Sequence, residues 1–230
     1  MPPSQKSTRR ALKKEVLRLL KGPDADLSNE ALRRLPARKV INPLFSFLYS
    51  KDEKVKWRAV TAFGAVVARL ADRDMESGRI IMRRIMWNLN DESGGIGWGS
   101  PEAMGETLAR HEGLAKEYAD ILLSYAREDG NYLEHEMLQR GLLWGIGRLA
   151  EVRPHLIKQY LPHLIPYLKS GDANVRGLAV WVMGLLGAEK ARSELERLTE
   201  DEAEIDFYSR HEILKKQIKD LAQEALKKMP

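Results

Sequence analysis

The chain has 230 residues, 43% hydrophobic and 31% charged, with net charge +5 and no cysteine. That suits a globular core and excludes disulfides, thiol nucleophiles and thiolate metal sites. Residues 1–40 carry eleven Lys and Arg against four acids, a net +7, so the remainder stands at −2 and offers no extended cationic track for nucleic acid. No run approaches the ~20 apolar residues that span a bilayer, and the opening MPPSQKSTRRALKKE lacks the apolar stretch of a secretory signal, so a soluble, cytoplasmic protein is expected.

Thr8 to Leu20 reads as an amphipathic helix, Gly22-Pro23-Asp24 as its terminator, and Asn29 to Leu35 as a short second helix. A ten-residue pattern then returns four times: VKWRAVTAFG from Val55, IGWGSPEAMG from Ile96, LQRGLLWGIG from Leu138 and VRGLAVWVMG from Val175, with starts 41, 42 and 37 residues apart. That period is expected of stacked helix pairs. Each second helix, B, follows a first helix, A: Ile41 to Tyr49, Arg79 to Asn90, Tyr118 to Arg127 and Ile157 to Lys169. Asp52, Asp91 and Asp172 stand in the turns as N-cap residues. Pro154, Pro162 and Pro166 predict that the last A helix is bent or divided.

In each B helix the first, fifth and ninth places hold apolar or small residues: Val55, Ala59, Phe63; Ile96, Ser100, Met104; Leu138, Leu142, Ile146; Val175, Ala179, Met183. One helical stripe results, predicted to form the core, and the Gly at every tenth place lets helix backbones approach. Ala191 to Leu198 and Glu212 to Lys228 read as a terminal pair. The prediction is all-α: a right-handed α-solenoid superhelix of stacked antiparallel helix pairs. It forms a single domain over 1–230, with a basic helical cap at 1–40, four repeats at 41–190 and a C-terminal capping helix pair at 191–230.

The segment Asp172-Ala-Asn-Val175-Arg176-Gly-Leu-Ala179 through Gly184 resembles HEAT-like repeats of the phycobilisome-lyase type, and the first repeat matches with Lys56 in the Arg position. The resemblance covers about residues 40–190. The stretch from Asn90 to Gly105 is also similar to an uncharacterised bacterial HEAT-repeat family. The resemblance implies an all-helical superhelix with a binding role, helix B lining the concave face, and no catalytic residue.

Two repeats depart from that pattern. Gly94, Gly95, Gly97 and Gly99 predict that the second B helix starts late, with Pro101 in its first turn. The third repeat has a longer loop containing Asp129, Asn131, Glu134, His135 and Glu136, a candidate recognition loop. Trp57 and Trp98 take the third place of helix B, and Trp144 and Trp181 the seventh, where the other repeats have Thr61 and Glu102. Neither place lies on the core stripe. With Glu102, Glu106, Arg140 and Arg148 near the same columns, the groove suits a peptide or a polar small ligand.

His155 and His163 stand two turns apart, too far to share an ion, and no metal or cofactor is expected. No Ser or Thr sits in a nucleophile-elbow sequence. The expected function is a non-enzymatic scaffold or adaptor that holds a protein segment in its concave groove, nucleic acid being less favoured as a partner. Two alternatives follow from resemblance alone: an enzyme like the HEAT-repeat glycosylases of alkylation repair, or a tetrapyrrole-handling protein.

Overall fold

The computed structural model describes residues 5–90 and 97–229. Asp91, Gly94, Gly95 and Ile96 therefore lie outside the described residues. The N-terminal cap is α1 (Gln5–Leu20) and α2 (Ala25–Arg34), the latter capped by Asp24, which accepts from the N–H groups of Asp26 and Leu27 at 2.8 and 2.9 Å. Three helix pairs follow: α3 (Ala37–Phe47) with α4 (Glu53–Arg73), α5 (Met75–Asn90) with α6 (Ser100–Arg110), and α7 (Glu112–Ser124) with α8 (Glu136–Val152). In the fourth, the A arm is broken, as its prolines predict, into short 3-10 turns around the single-turn α9 (Leu161–Leu164), and the B helix is α10 (Ala173–Leu186).

The caps and stripe behave as their chemistry demands. Asp52 and Asp172 accept from the N–H groups of Val55 and Val175 at 3.2 and 2.9 Å. Helix α6 starts late, at Ser100, with Pro101 in its first turn and Gly99 at φ 74 before it. Leu48 presses so closely there that a Cβ on Gly99 would stand 2.6 Å from its carbonyl oxygen. The stripe residues among the described ones are buried, except Leu138, which is half-buried.

Helix α4 packs on α6, α6 on α8, α8 on α10, whereas the A helices α5 and α7 lean chiefly on the B helix before them, α4 and α6, rather than on one another. The tighter layer is therefore the inside of the curve, as expected for helix B. Its closest approach is Gly105 against Gly145, where a Cβ on Gly105 would overlap the Cα of Gly145. Guanidinium groups tie neighbouring layers by capping open helix carbonyls: Arg58 on Leu20 at 3.1 Å, Arg69 on Leu35 at 3.2 Å, Arg153 on Ala109 at 2.6 Å.

The C-terminal end corrects the expected capping helix pair. After α11 (Arg192–Leu198) come two antiparallel strands, β1 (Glu204–Ser209) and β2 (Glu212–Gln217), and only then α12 (Ile218–Lys227), packed on α10 and α11. The helix expected from Glu212 thus begins six residues later. Ile205 and Phe207 alternate with acids, a period of two that fits a half-buried strand. The turn residues Arg210 and His211 lie at φ 49 and 70, as a two-residue hairpin turn of the primed kind requires, yet neither is the usual glycine or asparagine. Among the described residues no helix is long and apolar enough to cross a membrane.

Candidate functional site

The inner face of the solenoid is occupied by the chain's own hairpin. Strand β1 enters edge-on, so that main-chain groups at alternate residues meet side chains of the B helices. Asn174 Oδ1 accepts from the Asp206 N–H at 3.1 Å, and Trp144 Nε1 donates to the Tyr208 carbonyl at 3.0 Å. Residues two apart on a strand turn the same way, which is why 206 and 208 can be held from one side.

The strand's side chains fill three places on the groove floor. Ile205 lies over Gly177, where an added Cβ would come within 2.6 Å of Ile205 Cδ1. Phe207 meets Trp181 edge-on, with centroids 4.9 Å apart. Tyr208 stacks on Trp57 at 4.6 Å with rings 10° from parallel, and Trp144 tilts against both. The Tyr208 hydroxyl lies 3.0 Å from Thr61 Oγ1, and burial pushes its pKa up.

Ion pairs frame this aromatic column. Glu106, 2% exposed, accepts from Arg110 Nε on one oxygen at 2.6 Å and from Arg148 Nε on the other at 2.8 Å. Arg148 also bonds Glu151. Burial works against the charge on Arg148, but the two carboxylates outweigh it and raise its pKa. Glu102, 3% exposed, has Lys56 Nζ at 3.4 Å from Oε1, while Oε2 has no hydrogen-bond partner among the described residues. A side chain at Gly141 would strike that carboxylate, so the glycine makes room for it. Burial again opposes the charge on Lys56, and Glu102 and Glu53 raise its pKa nonetheless. Lys56 Nζ also lies 5.1 Å from the Trp57 ring centroid. Arg140 reaches across to Asp172, the N-cap of α10, bonding both of its oxygens, one at 3.0 Å.

Two open cavities flank the hairpin. One of about 320 Å³ lies beside Glu106, Arg148, Tyr208 and Arg210, and one of about 440 Å³ beside Lys56, Glu102, Met137 and Ile213.

Of the predicted groove residues, Trp57, Trp144 and Trp181 come together with Glu102, Glu106, Arg140 and Arg148. Trp144 is not a free groove side chain, as its off-stripe position suggested: the hairpin covers it and leaves it 2% exposed. Trp98 does not join the column. It precedes α6 in a turn, 40% exposed, its ring 6.4 Å from that of His135, because the late helix start moves it off the inner face.

The loop residues make local contacts. Asp129 pairs with Arg127 at 2.7 Å, Asn131 donates to Ser124 at 2.9 Å, and His135 Nδ1 caps α8 by accepting from Met137 N–H at 3.1 Å. Glu134 and Glu136 are exposed. The loop borders a further cavity of about 470 Å³ with Tyr132, His163 and Tyr167 on its walls.

Sequence reasoning missed Asn174, Phe207 and Tyr208. Only the alternation around Ile205 and Phe207 signalled a strand, and nothing local says that a strand lies across helices thirty and more residues away.

The HEAT-like repeat family matches residues 136–186, the stretch from α8 to the end of α10. A protein of Archaeoglobus fulgidus, described as uncharacterized, is 25% identical over 77% of this chain and 91% of its own length. A designed armadillo repeat protein in complex with the peptide (KR)4 superposes with a TM-score of 0.61 at 17% identity, covering 100% of this chain and 95% of that one. A computationally designed armadillo repeat protein for modular peptide recognition gives 0.58 at 17%, covering 99% and 95%. At such identities the structural likeness is one of fold. Residues 136–186 are thus a HEAT-like repeat, and the chain has the mostly helical α-solenoid fold of HEAT and armadillo repeat proteins.

Proposed function

We propose that this protein is a HEAT-like scaffold whose inner groove binds an extended segment of another protein. The observation that carries the reading is the pair of bonds from Asn174 and Trp144 to main-chain groups two residues apart on a strand. Such contacts recognise any extended chain, and neighbouring side-chain pockets then select the sequence. The three tryptophans supply large contact area at low rotamer cost. The designed armadillo protein of similar fold, in complex with its (KR)4 peptide, is consistent with a groove of this architecture serving as a peptide site.

The test is a selection of peptides from a displayed random library on the full chain, followed by photo-crosslinking of the selected sequences. Adducts are expected on inner-face residues such as Lys56, Trp57 and Met137. Adducts confined to the outer A helices, or no enrichment at all, would refute the assignment.

A further inference from the structure

We infer that the hairpin is a resident mimic of the partner: the groove takes a segment with the order apolar, any, aromatic, aromatic, seated where Ile205, Phe207 and Tyr208 now lie, and the hairpin is displaced as that segment binds. This rests on the reading that the groove binds a protein segment, and adds which segment and how it gains access.

The three places on the floor define the chemistry. The Gly177 slot accepts a branched aliphatic side chain because no Cβ stands in it. Trp181 presents its ring for an edge-on aromatic partner. Trp57 and Trp144 form a tilted pair, 4.8 Å apart, that holds a flat ring, and Thr61 bonds a hydroxyl at its tip. A tyrosine in the last place therefore satisfies more of the site than a phenylalanine.

Four features make the hairpin separable from the solenoid. Only β1 contributes buried side chains, while Glu212, Ile213, Leu214 and Lys215 of β2 are exposed. A two-stranded hairpin is marginal by itself, so its docking depends on β1. The turn holds two side-chain-bearing residues at positive φ, a strain that opening releases. Both ends are clamped outside the hairpin: Ile218 N–H donates to Ala203 O at 3.0 Å, Lys219 N–H to Asp201 O at 2.9 Å, and Arg176 pairs with Asp201 at 2.9 Å. The segment between those clamps can therefore leave the groove while α11 and α12 stay packed. The cavities on either side leave room for an incoming chain to start contact before the hairpin is out.

The experiment supplies β1 in trans. A fluorescein-labelled peptide Ala-Glu-Ile-Asp-Phe-Tyr-Ser, the sequence of residues 203–209, is titrated by anisotropy against the full wild-type chain and against F207A/Y208A, which removes two of the three side chains that seat the hairpin without touching the groove walls. The open variant is expected to bind roughly tenfold or more tightly than wild type, because apparent affinity scales with the fraction of open groove. The same peptide with Ala in place of Phe and Tyr should not bind. Equal binding to both chains, or none to the folded open variant, overturns the proposal.

Should the variant fail to fold, amide exchange in the wild type decides. The Asp206 N–H, held only by the groove, is expected to exchange much faster than core amides of α8, and exchange solely through global unfolding overturns displacement. Library peptides that crosslink to the groove while the Asp206 amide stays protected would sink displacement and spare the groove; failure of every peptide in both chains would sink both.

Discussion

Replacing Glu106 by alanine is expected to be among the costliest single changes on the inner face. Its carboxylate is 2% exposed and holds one guanidinium on each oxygen, at 2.6 Å from Arg110 and 2.8 Å from Arg148. Breaking a buried ion pair by deleting one partner typically costs about 3–5 kcal/mol, since the other charge is left without compensation. Here the two arginine side chains are 31% and 27% exposed and can recover water, so the lower end applies, about 3 kcal/mol. At roughly 2–4 °C per kcal/mol for a domain of this size, the melting temperature should fall by about 6–12 °C. Urea unfolding followed by circular dichroism reads the same quantity. Glu106→Gln, which keeps the shape and one acceptor, should lose clearly less. A double-mutant cycle with Arg148→Ala should return a coupling of about 0.5–3 kcal/mol. A Glu106→Ala loss below about 1 kcal/mol would refute the view that this carboxylate ties the second repeat to the third.

Gly105→Ala is expected to destabilise by about 1–3 kcal/mol through overlap with Gly145, whereas Gly171→Ala, with nothing within 4 Å of an added Cβ, should stay near zero in the same urea melts. Burial alone would raise the Asp172 carboxyl pKa, but bonds from Arg140 and the Val175 N–H outweigh it and hold it below its usual value. Its contribution to stability is therefore present above the unfolded pKa of about 4 and lost as pH falls through the lower folded value. Stability measured from pH 7 down to pH 3 should decline less steeply in Asp172→Asn than in wild type. Trp57→Ala should speed exchange of the Asp206 amide while leaving that of α8 nearly unchanged, because it removes the face on which Tyr208 stacks. Unaltered exchange at Asp206 would show that the stack does not hold the hairpin in place.

The repeats were legible because each B helix carries its own statement of pattern. Val55, Ala59 and Phe63 reappear as Val175, Ala179 and Met183, and a stripe at helical spacing has one physical use, which is to be buried against a neighbour. The caps at Asp52 and Asp172 and the late start at Pro101 depend on residues within a few places of one another, and they appear where local chemistry puts them. The tryptophan column was half legible. The seventh-place positions of Trp144 and Trp181 set them off the stripe, but whether such a ring meets solvent depends on what lies above it. Trp98 stands outside the column because it precedes α6, which begins at Ser100, so its place in the ten-residue pattern does not translate into a place on a helix. The terminal strands were hidden for a different reason: Ile213-Leu-Lys-Lys-Gln consists of residues that suit a helix as well as a strand, and the turn lacks glycine.

By itself the sequence determined the solenoid: its period, caps, inner stripe and close-approach glycines are short-range properties, and stacking is the only way for such units to bury their stripes. The tertiary structure alone decided what the inner face does. Pairing between Trp57 and Tyr208, 151 residues apart, or between Asn174 and Asp206 across two elements, follows from the curvature that brings the C-terminal strand over the first and last repeats. No local pattern encodes that curvature, because it is the sum of small rotations between neighbouring helix pairs, and those depend on packing between residues far apart in sequence.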